Sequence, residues 1–346
     1  MKVAVYAIAK DEERHVKRWQ ESACDADSLH ILDTGSYDRT VGLAKDYGID
    51  VARWEFNPWR FDKARNMSLD MVPADTDYCI ALDLDEVLLP GWRDHLEEAF
   101  KLGVTRPRYK YTWSWNGNQP GLQYGGDKIH TRQGYYWKHP VHEVITPMQG
   151  FKEVQGWVDL EIHHHADPKK SRSQYGPLLE LAINEDPSDD RNTHYYAREL
   201  FFQGRWDESE RQFLRHVDMD GWEPERAQSY RYLYKLTGDA KYLADACRIH
   251  ASREVLVDMA SHHYEHGEWE GCFKAARRAL RIIERPLVYF TEAEAWGPKA
   301  HDLAAIAAFH LGLYQEARWH GMQALKLSPY DGRLVDNLRF YEKAAA

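Results

Sequence analysis

The sequence predicts two domains of different class: an α/β domain with a mixed, mainly parallel sheet over residues 1–170, and an all-α helical-repeat domain over residues 171–346. Two observations lead to this prediction. The first hundred residues alternate between short apolar runs and segments with helical periodicity, the pattern of a sheet covered by helices on both faces. From about residue 169 the sequence is almost wholly helical, and turns recur between the helical segments.

The α/β alternation can be followed element by element through the first ninety residues. Val3–Ala9 is a short, continuous apolar run, as expected of a strand buried on both faces. The predicted elements that follow are a helix at Glu12–Cys24, a strand at Leu29–Leu32, a helix at Thr40–Tyr47, a strand at Asp50–Trp54, a helix at Ala64–Met71 and a strand at Tyr78–Leu82. Ligands bind at the carboxyl ends of the strands in such sheets, so the residues after the second and fourth strands are candidates for a site.

The pattern changes twice beyond this point. Residues 106–165 are rich in glycine and aromatic residues, and alternating runs such as Val154–His164 predict mixed or antiparallel strands. In the helical part, a turn glycine lies between two helical segments at four positions: Gly204, Gly238, Gly267 and Gly312. The first interval, 238 − 204 = 34 residues, is the tetratricopeptide period, whereas the others are irregular. The helical part therefore resembles a degenerate tetratricopeptide array.

Composition and charge exclude several classes of protein. The chain has 346 residues with 45 Lys+Arg and 55 Asp+Glu, and a net charge of −10 argues against a protein built to hold nucleic-acid backbone. The four cysteines form no C-x-x-C pair, which excludes a zinc ribbon and a dense disulfide scaffold. The N-terminal apolar run is too short for a signal peptide, and no apolar window is long enough to span a membrane. We therefore expect a cytoplasmic protein.

The segment that carries chemistry is Asp83-Leu84-Asp85, followed by Glu86, at the end of the fourth predicted strand. Two carboxylates two residues apart can share one hard divalent cation where a strand leaves the sheet. Mg²⁺ and Mn²⁺ take oxygen ligands and are often held together with substrate phosphates. An isolated D-x-D is usually a solvated acidic turn, but the buried strand Tyr78–Leu82 places this one at a ligand-binding edge.

Four segments occur in the order of a known set of motifs: A-K-D-E-E at 9–13, L-D-T-G-S-Y-D-R-T at 32–40, F-D-K-A-R-N at 61–66 and L-D-L-D-E at 82–86. Together they resemble the family 2 glycosyltransferases of the GT-A fold, particularly the branch with a tetratricopeptide tail. That family usually reads K-N-E-E, D-T-G-S-x-D-x-T, a-R-N and D-a-D-E. This chain departs from it at Asp11 and Leu84, and neither change removes a charged ligand. The resemblance covers about residues 1–165.

The resemblance implies a nucleotide-sugar site formed by matching residues: Ala7, Glu12, Asp33, Arg65, Asp83 and Leu84. Asp33 would accept hydrogen bonds from uracil or ribose, and Ala7 would let the nucleotide approach the backbone. Arg65 would reach the diphosphate or pair with a carboxylate of the metal loop, and Asp83 would contact ribose. The structural alternatives are an Asx turn or helix N-cap for Asp33 and a small core residue for Ala7.

The resemblance also implies a metal ion. Asp85 would bind Mn²⁺ or Mg²⁺ bridging both phosphates, so that the ion neutralises the leaving nucleoside diphosphate. GT-A enzymes often add a late histidine ligand, and the segment Ile162-His163-His164-His165 ends a predicted strand. Because Ile162 and His164 share one side of an alternating strand, we predict His164 as the ligand, with His165 in reserve.

A catalytic base is expected in the segment Trp137–Glu143, which resembles a V-H-E element of this branch. Inverting members of the family use one displacement, which needs one base and no covalent nucleophile. We predict Glu143 as the base that takes the acceptor proton, with His142 as the other candidate. The alternative is that both residues only brace the acceptor loop.

Residues 101–140 hold seven basic side chains, one acidic side chain and eight Tyr and Trp. In a chain of net negative charge, such a segment suggests a surface for a phosphorylated sugar, a lipid-linked glycan or single-stranded nucleic acid. The alternative is a set of β-strands whose aromatic residues face inward and whose cations are solvated.

These observations predict a metal-dependent, inverting glycosyltransferase that moves a sugar from a UDP-sugar to a hydroxyl of a glycan, a protein or peptide, or a modified nucleobase. The helical repeats would dock the acceptor or form a homodimer. The competing hypothesis is a catalytically inactive binding or scaffold protein with a vestigial nucleotide-sugar domain, against which the intact D-x-D, Asp33 and Arg65 count. A nucleotidyltransferase would be expected to carry a glycine-rich phosphate loop, and residues 7–13 contain no glycine.

Overall fold

The computed structural model describes residues 1–167 and 174–346, and the chain divides into two compact units. The first unit comprises Met1–Ala182 with Leu287–Tyr289, and the second comprises Ile183–Pro286 with Phe290–Ala346. The predicted domain boundary, after residue 170, lies outside the described residues. The predicted fold class is confirmed, because an α/β unit is followed by a unit of helical repeats.

The strands of the first unit are β1 (Val3–Ala9), β2 (Ser28–Asp33), β3 (Asp50–Arg53), β4 (Tyr78–Ala81), β5 (Glu86–Leu88), β6 (Arg106–Thr112), β7 (Trp115–Asn116), β8 (Gln119–Pro120), β9 (Gln123–Gly126), β10 (Ile129–Thr131), β11 (Tyr135–Lys138), β12 (Val144–Pro147) and β13 (Gln155–His164). Its helices are α1 (Val16–Ser22), α2 (Thr40–Asp46), α3 (Phe61–Asp70) and α4 (Trp92–Lys101), while α5 (Tyr175–Glu185) continues into the second unit.

The main sheet has the strand order β10-β4-β1-β2-β3. β4, β1, β2 and β3 run parallel, and β10 adds an antiparallel edge. Alternate residues of β1 enter two cores, because Val5 packs with Trp19 on one side and Tyr6 packs with Trp137 on the other. Burial on both faces explains the continuous apolar run Val3–Ala9, and the predicted mixed, mainly parallel sheet is confirmed.

A second sheet, of order β5-β13-β6-β9, lies beyond the D-x-D triplet in the sequence. β13 pairs in parallel with β6 and antiparallel with β5, so that His164 lies opposite Glu86 in the ladder. This pairing brings the end of β13 to the segment that follows β4. The prediction of mixed strands over residues 106–165 is confirmed.

The first helix begins later than predicted, at Val16 instead of Glu12. Residue Asp11 adopts a left-handed backbone with a φ of 56°, and the Glu12 amide donates to the Thr40 hydroxyl at 2.7 Å. The chain is thus bonded at Glu12 to the first residue of α2, and α1 begins four residues later, at Val16.

The second unit is built from helices α6 (Asp190–Phe202), α7 (Trp206–Val217), α8 (Glu223–Thr237), α9 (Lys241–Ile249), α10 (Arg253–Glu265), α11 (Trp269–Leu280), α12 (Ala293–Trp296), α13 (Lys299–His310), α14 (Tyr314–Leu327) and α15 (Gly332–Ala345). The four predicted turn glycines each lie between two of these helices and have φ between 69° and 74°. That left-handed conformation favours glycine, which explains their recurrence. Among the described residues, no helix combines the length and the apolar character needed to cross a bilayer.

Candidate active site

The loops that follow β1 and β2 are held together by the residues of the first two motifs. The Asp11 carboxylate accepts a hydrogen bond from the Tyr37 amide at 2.8 Å, and the Asp11 amide donates to the Ser36 hydroxyl at 2.9 Å. With the bond from Glu12 to Thr40, these contacts join the loops at the carboxyl edge of the sheet. Asp11 uses only a carboxylate oxygen here, which an asparagine also offers, so the departure from the family pattern is tolerated.

Asp33 ends β2 and is fully buried. Its carboxylate accepts from the amides of Gly35 and Ser36 at 3.3 and 3.2 Å, and Arg53 Nε lies 3.4 Å away. These bonds form the Asx turn that was the structural alternative for this residue. Ala7 is likewise fully buried within the core of the sheet. The roles of both residues toward a nucleotide therefore stay predictions.

Two other residues assigned to nucleotide binding also have defined surroundings. Leu84 lies in the main core with 1% of its surface exposed, so its side chain is not available to a ligand. The buried Glu12 carboxylate lies 4.0 Å from Nε2 of His15.

Arg65 of α3 connects the D-x-D triplet with the predicted base. Its Nη2 donates to Asp83 at 2.5 Å, its Nε donates to Glu143 at 3.0 Å, and its guanidinium lies 5.4 Å from the ring centre of Trp137. Burial alone would lower the pKa of Arg65, but the two carboxylates outweigh burial and raise it. Arg65 is therefore a permanent cation between Asp83, which we predicted to contact ribose, and Glu143, which we predicted to be the base.

The loop that carries Glu143 is anchored to α3 by the asparagine of the third motif. Asn66 Nδ2 donates to the Trp137 carbonyl at 2.8 Å, and the Trp137 amide donates back to Asn66 Oδ1 at 2.9 Å. The Phe61 amide also donates to the Pro140 carbonyl at 2.9 Å. His142, which has a left-handed φ of 51°, makes an edge contact with Tyr175.

Lys128 is a site residue that sequence reasoning missed, because it was counted only as one cation of the basic segment. Its Nζ donates to Asp83 at 2.7 Å and to Glu86 at 3.1 Å. Burial would raise the pKa of Asp83, but Arg65 and Lys128 hold it well below its usual range. Glu86 also accepts from the Tyr111 hydroxyl at 2.5 Å, and burial raises its pKa despite Lys128. Lys128 reaches this cluster because β10 pairs antiparallel with β4, a pairing that single-sequence periodicity does not reveal.

Asp85 and His164 lie opposite each other, with Oδ2 of Asp85 3.6 Å from Nε2 of His164. His164 Nδ1 lies 2.9 Å from the Trp113 carbonyl and donates to it, and the imidazole stacks on the Trp113 ring at 4.2 Å. This bond to Nδ1 orients Nε2 toward the carboxylate, as in many metal-binding histidines. His163 instead contacts Glu161, and His165 stacks on Trp115.

The donor set and the charges around it fit a divalent cation. When ionised, the four carboxylates (Asp83, Asp85, Glu86 and Glu143) outweigh the two cations (Arg65 and Lys128) by two charges. A carboxylate oxygen and an imidazole nitrogen with its second nitrogen already bonded are suitable ligands.

The basic and aromatic segment 101–140 is largely engaged within the fold. Its cations contact neighbouring groups: Arg106 binds Asp127 and Glu153, Arg108 binds the Gly126 carbonyl, Lys110 binds Glu161, and Arg132 binds the Val72 carbonyl. Four of its aromatic residues are buried: Tyr109, Tyr111, Tyr135 and Trp137. These contacts favour the alternative in which the segment forms ordinary strands.

Comparison with known proteins finds a family match for the α/β part of the chain. The family model described as Glycosyl transferase family 2 matches residues 5–154. A TPR repeat-containing protein of Synechococcus elongatus is 26% identical over 312 residues, which cover 80% of this chain and 75% of the relative.

Two solved structures resemble parts of the chain at low TM-score. TarS of S. aureus has a TM-score of 0.40 and 11% identity, covering 79% of this chain and 54% of TarS. The TPR protein YrrB also has a TM-score of 0.40 and 11% identity, covering 48% of this chain and 83% of YrrB. Similarity at this level carries no information about substrate.

Proposed function

We propose that this chain, whose residues 5–154 match the model of glycosyltransferase family 2, is a metal-dependent, inverting glycosyltransferase that uses a UDP-sugar. The observation that carries this proposal is the facing pair Asp85 and His164 at the carboxyl edge of the sheet. Beside it, Asp83 is kept ionised by Arg65 and Lys128. Asp85 and His164 would thus serve as metal ligands beside a carboxylate that is held in place for the donor nucleotide.

Asp85 and His164 would hold the ion, and the imidazole ligand favours Mn²⁺ over Mg²⁺, which prefers oxygen ligands. A divalent cation bound there would neutralise charge on the leaving nucleoside diphosphate. Arg65 and Lys128 contribute fixed positive charge at the same edge and keep Asp83 oriented. Since both cations are already positioned, little reorganisation is needed when a diphosphate arrives.

On the acceptor side, Glu143 would take the proton of the attacking hydroxyl. Its side chain is 12% exposed, and Oε1 accepts from Arg65 at 3.0 Å. Each carboxylate oxygen has more than one acceptor direction, so Glu143 can bind Arg65 and a hydroxyl together. The acceptor class remains a glycan, a protein or peptide, or a modified nucleobase, and the helical repeats would dock the acceptor or form a homodimer.

A thermal-shift panel of nucleotide-sugars with and without Mn²⁺ tests this function. A ligand that binds the native state raises its stability, by about 2.7 kcal/mol at a concentration one hundred times its Kd. We expect UDP-sugars to raise Tm only when Mn²⁺ is present, and the effective sugar to be consumed in a turnover assay. A Tm increase with GDP-sugars but not with UDP-sugars would overturn the donor assignment, and an equal increase in EDTA would overturn metal dependence.

A further inference from the structure

Three side chains from consecutive helices converge within the second unit. They are Asp190 of α6, His216 of α7 and Glu225 of α8, and one ligand atom of each lies within 4.8 Å of those of the other two. His216 and Glu225 are buried, with 0% and 2% of their surfaces exposed, and Asp190 is half-buried. We propose that these residues form a second, structural metal site for a divalent transition ion of the zinc class.

The histidine supplies the observation that points to a ligand. Nδ1 of His216 is 2.8 Å from the Ser229 hydroxyl, whereas its buried Nε2 has no hydrogen-bond partner among residues 1–167 and 174–346. Buried polar atoms are nearly always satisfied, so an imidazole nitrogen left without a partner beside two carboxylates requires an explanation. A metal ion bound by Nε2 and the carboxylates provides one.

A second shell orients this imidazole. The Ser229 hydroxyl contacts both Nδ1 of His216 and Nδ1 of His194, the latter at 2.7 Å. A hydroxyl has one proton, so if it accepts from His216 it donates to His194. That arrangement leaves a lone pair on Nε2 of His216, the state that a metal requires, and metal-binding histidines commonly bond their other nitrogen in this way.

Space for the third ligand depends on Gly221. The backbone of Gly221 is not left-handed, so its conformation does not demand glycine. A Cβ at this position would collide with the Asp190 carboxylate. The absence of a side chain at position 221 therefore provides the space that the Asp190 carboxylate occupies.

The donor set indicates the kind of ion. One imidazole nitrogen and two carboxylates are typical zinc ligands, whereas Ca²⁺ and Mg²⁺ prefer oxygen alone. An ion held by α6, α7 and α8 would add a further connection between three helices that the Ser229 hydroxyl already joins, and would stabilise this part of the repeat array.

The test uses the full chain carrying Asp85→Asn and His164→Ala, so that the proposed active-site ligands do not contribute. After chelator treatment, the protein is titrated with Zn²⁺, and bound metal is counted by elemental analysis. We expect one equivalent of Zn²⁺ and a rise in Tm. Ser229→Ala should weaken binding about 10–100-fold, as second-shell changes do, and Glu225→Gln should weaken it more. Glu223→Gln, an exposed acid on the same helix, is the matched control and should bind normally.

The proposal is overturned if the chain retains no Zn²⁺, or if Glu225→Gln and Glu223→Gln bind it equally. Gly221→Ala provides an independent arm, because it keeps all three ligands but displaces Asp190, and we expect weaker binding. If a variant of one of the three ligands does not fold, the site is tested by the visible spectrum of Co²⁺ bound to the chain that carries only Asp85→Asn and His164→Ala. Bands distinct from those of aqueous Co²⁺ support the site, and an unchanged aqueous spectrum refutes it.

Discussion

Replacing Arg65 with Met should destabilise the α/β unit, because it leaves two carboxylates without their shared cation. The side chain of Arg65 is 4% exposed and bonds Asp83 and Glu143 at 2.5 and 3.0 Å. Removing one partner of a buried ion pair costs about 3–5 kcal/mol. Asp83 keeps its bond to Lys128, so the loss falls mainly on Glu143, and we expect a value near the lower end, about 3 kcal/mol.

For a unit of this size, a loss of about 3 kcal/mol corresponds to a decrease in Tm of roughly 6–12 °C. Differential scanning calorimetry of the full chain measures this shift in the transition of the α/β unit. Adding Glu143→Gln to Arg65→Met removes the uncompensated charge, so the double variant should be more stable than the sum of the single effects predicts. The control is Glu153→Gln combined with Arg65→Met in the same way. It removes a carboxylate that is paired with Arg106 and not with Arg65. A loss below about 1 kcal/mol, or strict additivity with Glu143→Gln, would refute this explanation.

Substitutions at Glu143, His142 and Asp11 test separate parts of the site. If Glu143 is the base, Glu143→Gln should lower turnover about 10²–10⁴-fold at saturating substrates, with donor affinity nearly unchanged and His142→Ala less harmful. If Glu143 only binds Arg65, Glu143→Gln exchanges a charged hydrogen bond for a neutral one, and turnover should fall only about tenfold. A loss of turnover in that range would assign Glu143 a positioning role. Asp11→Asn should change stability by less than about 0.5 kcal/mol, whereas Asp11→Ala should cost about 1–2 kcal/mol by removing the acceptor for the Tyr37 amide, and urea unfolding distinguishes them.

Local pattern was sufficient to predict much of the fold and the edge at which the site lies. The apolar run Val3–Ala9 corresponds to β1 residue for residue, because a strand buried on both faces has no polar interruption. The choice of His164 rested on the alternation of side chains along a strand. In the structure Ile162 and His164 are both buried, while His163 and His165 are half-buried, so that alternation holds.

Contacts between distant segments could not be predicted in this way. Lys128 and Asp83 are 45 residues apart in the chain. They meet because β10 joins the edge of the main sheet beside β4. The motif residues Ser36 and Thr40 accept hydrogen bonds from the amides of Asp11 and Glu12, contacts that the motif itself does not reveal. In the repeats, the convergence of Asp190 with His216 and Glu225 has no motif spacing, because three helices supply one residue each.

The central claim is that Asp85 and His164 hold a divalent cation that the transfer reaction requires. Calorimetric titration of UDP into the chain, with Mn²⁺ or with EDTA, measures this directly. We predict that the parent and Asp94→Asn, an exposed control, bind UDP more tightly with Mn²⁺, whereas Asp85→Asn binds it equally weakly in both conditions. Transfer by Asp85→Asn should fall at least about 100-fold, since a metal contributes several kcal/mol to stabilising developing charge. Full turnover in EDTA, or undiminished Mn²⁺-dependent UDP binding by Asp85→Asn, would contradict the account.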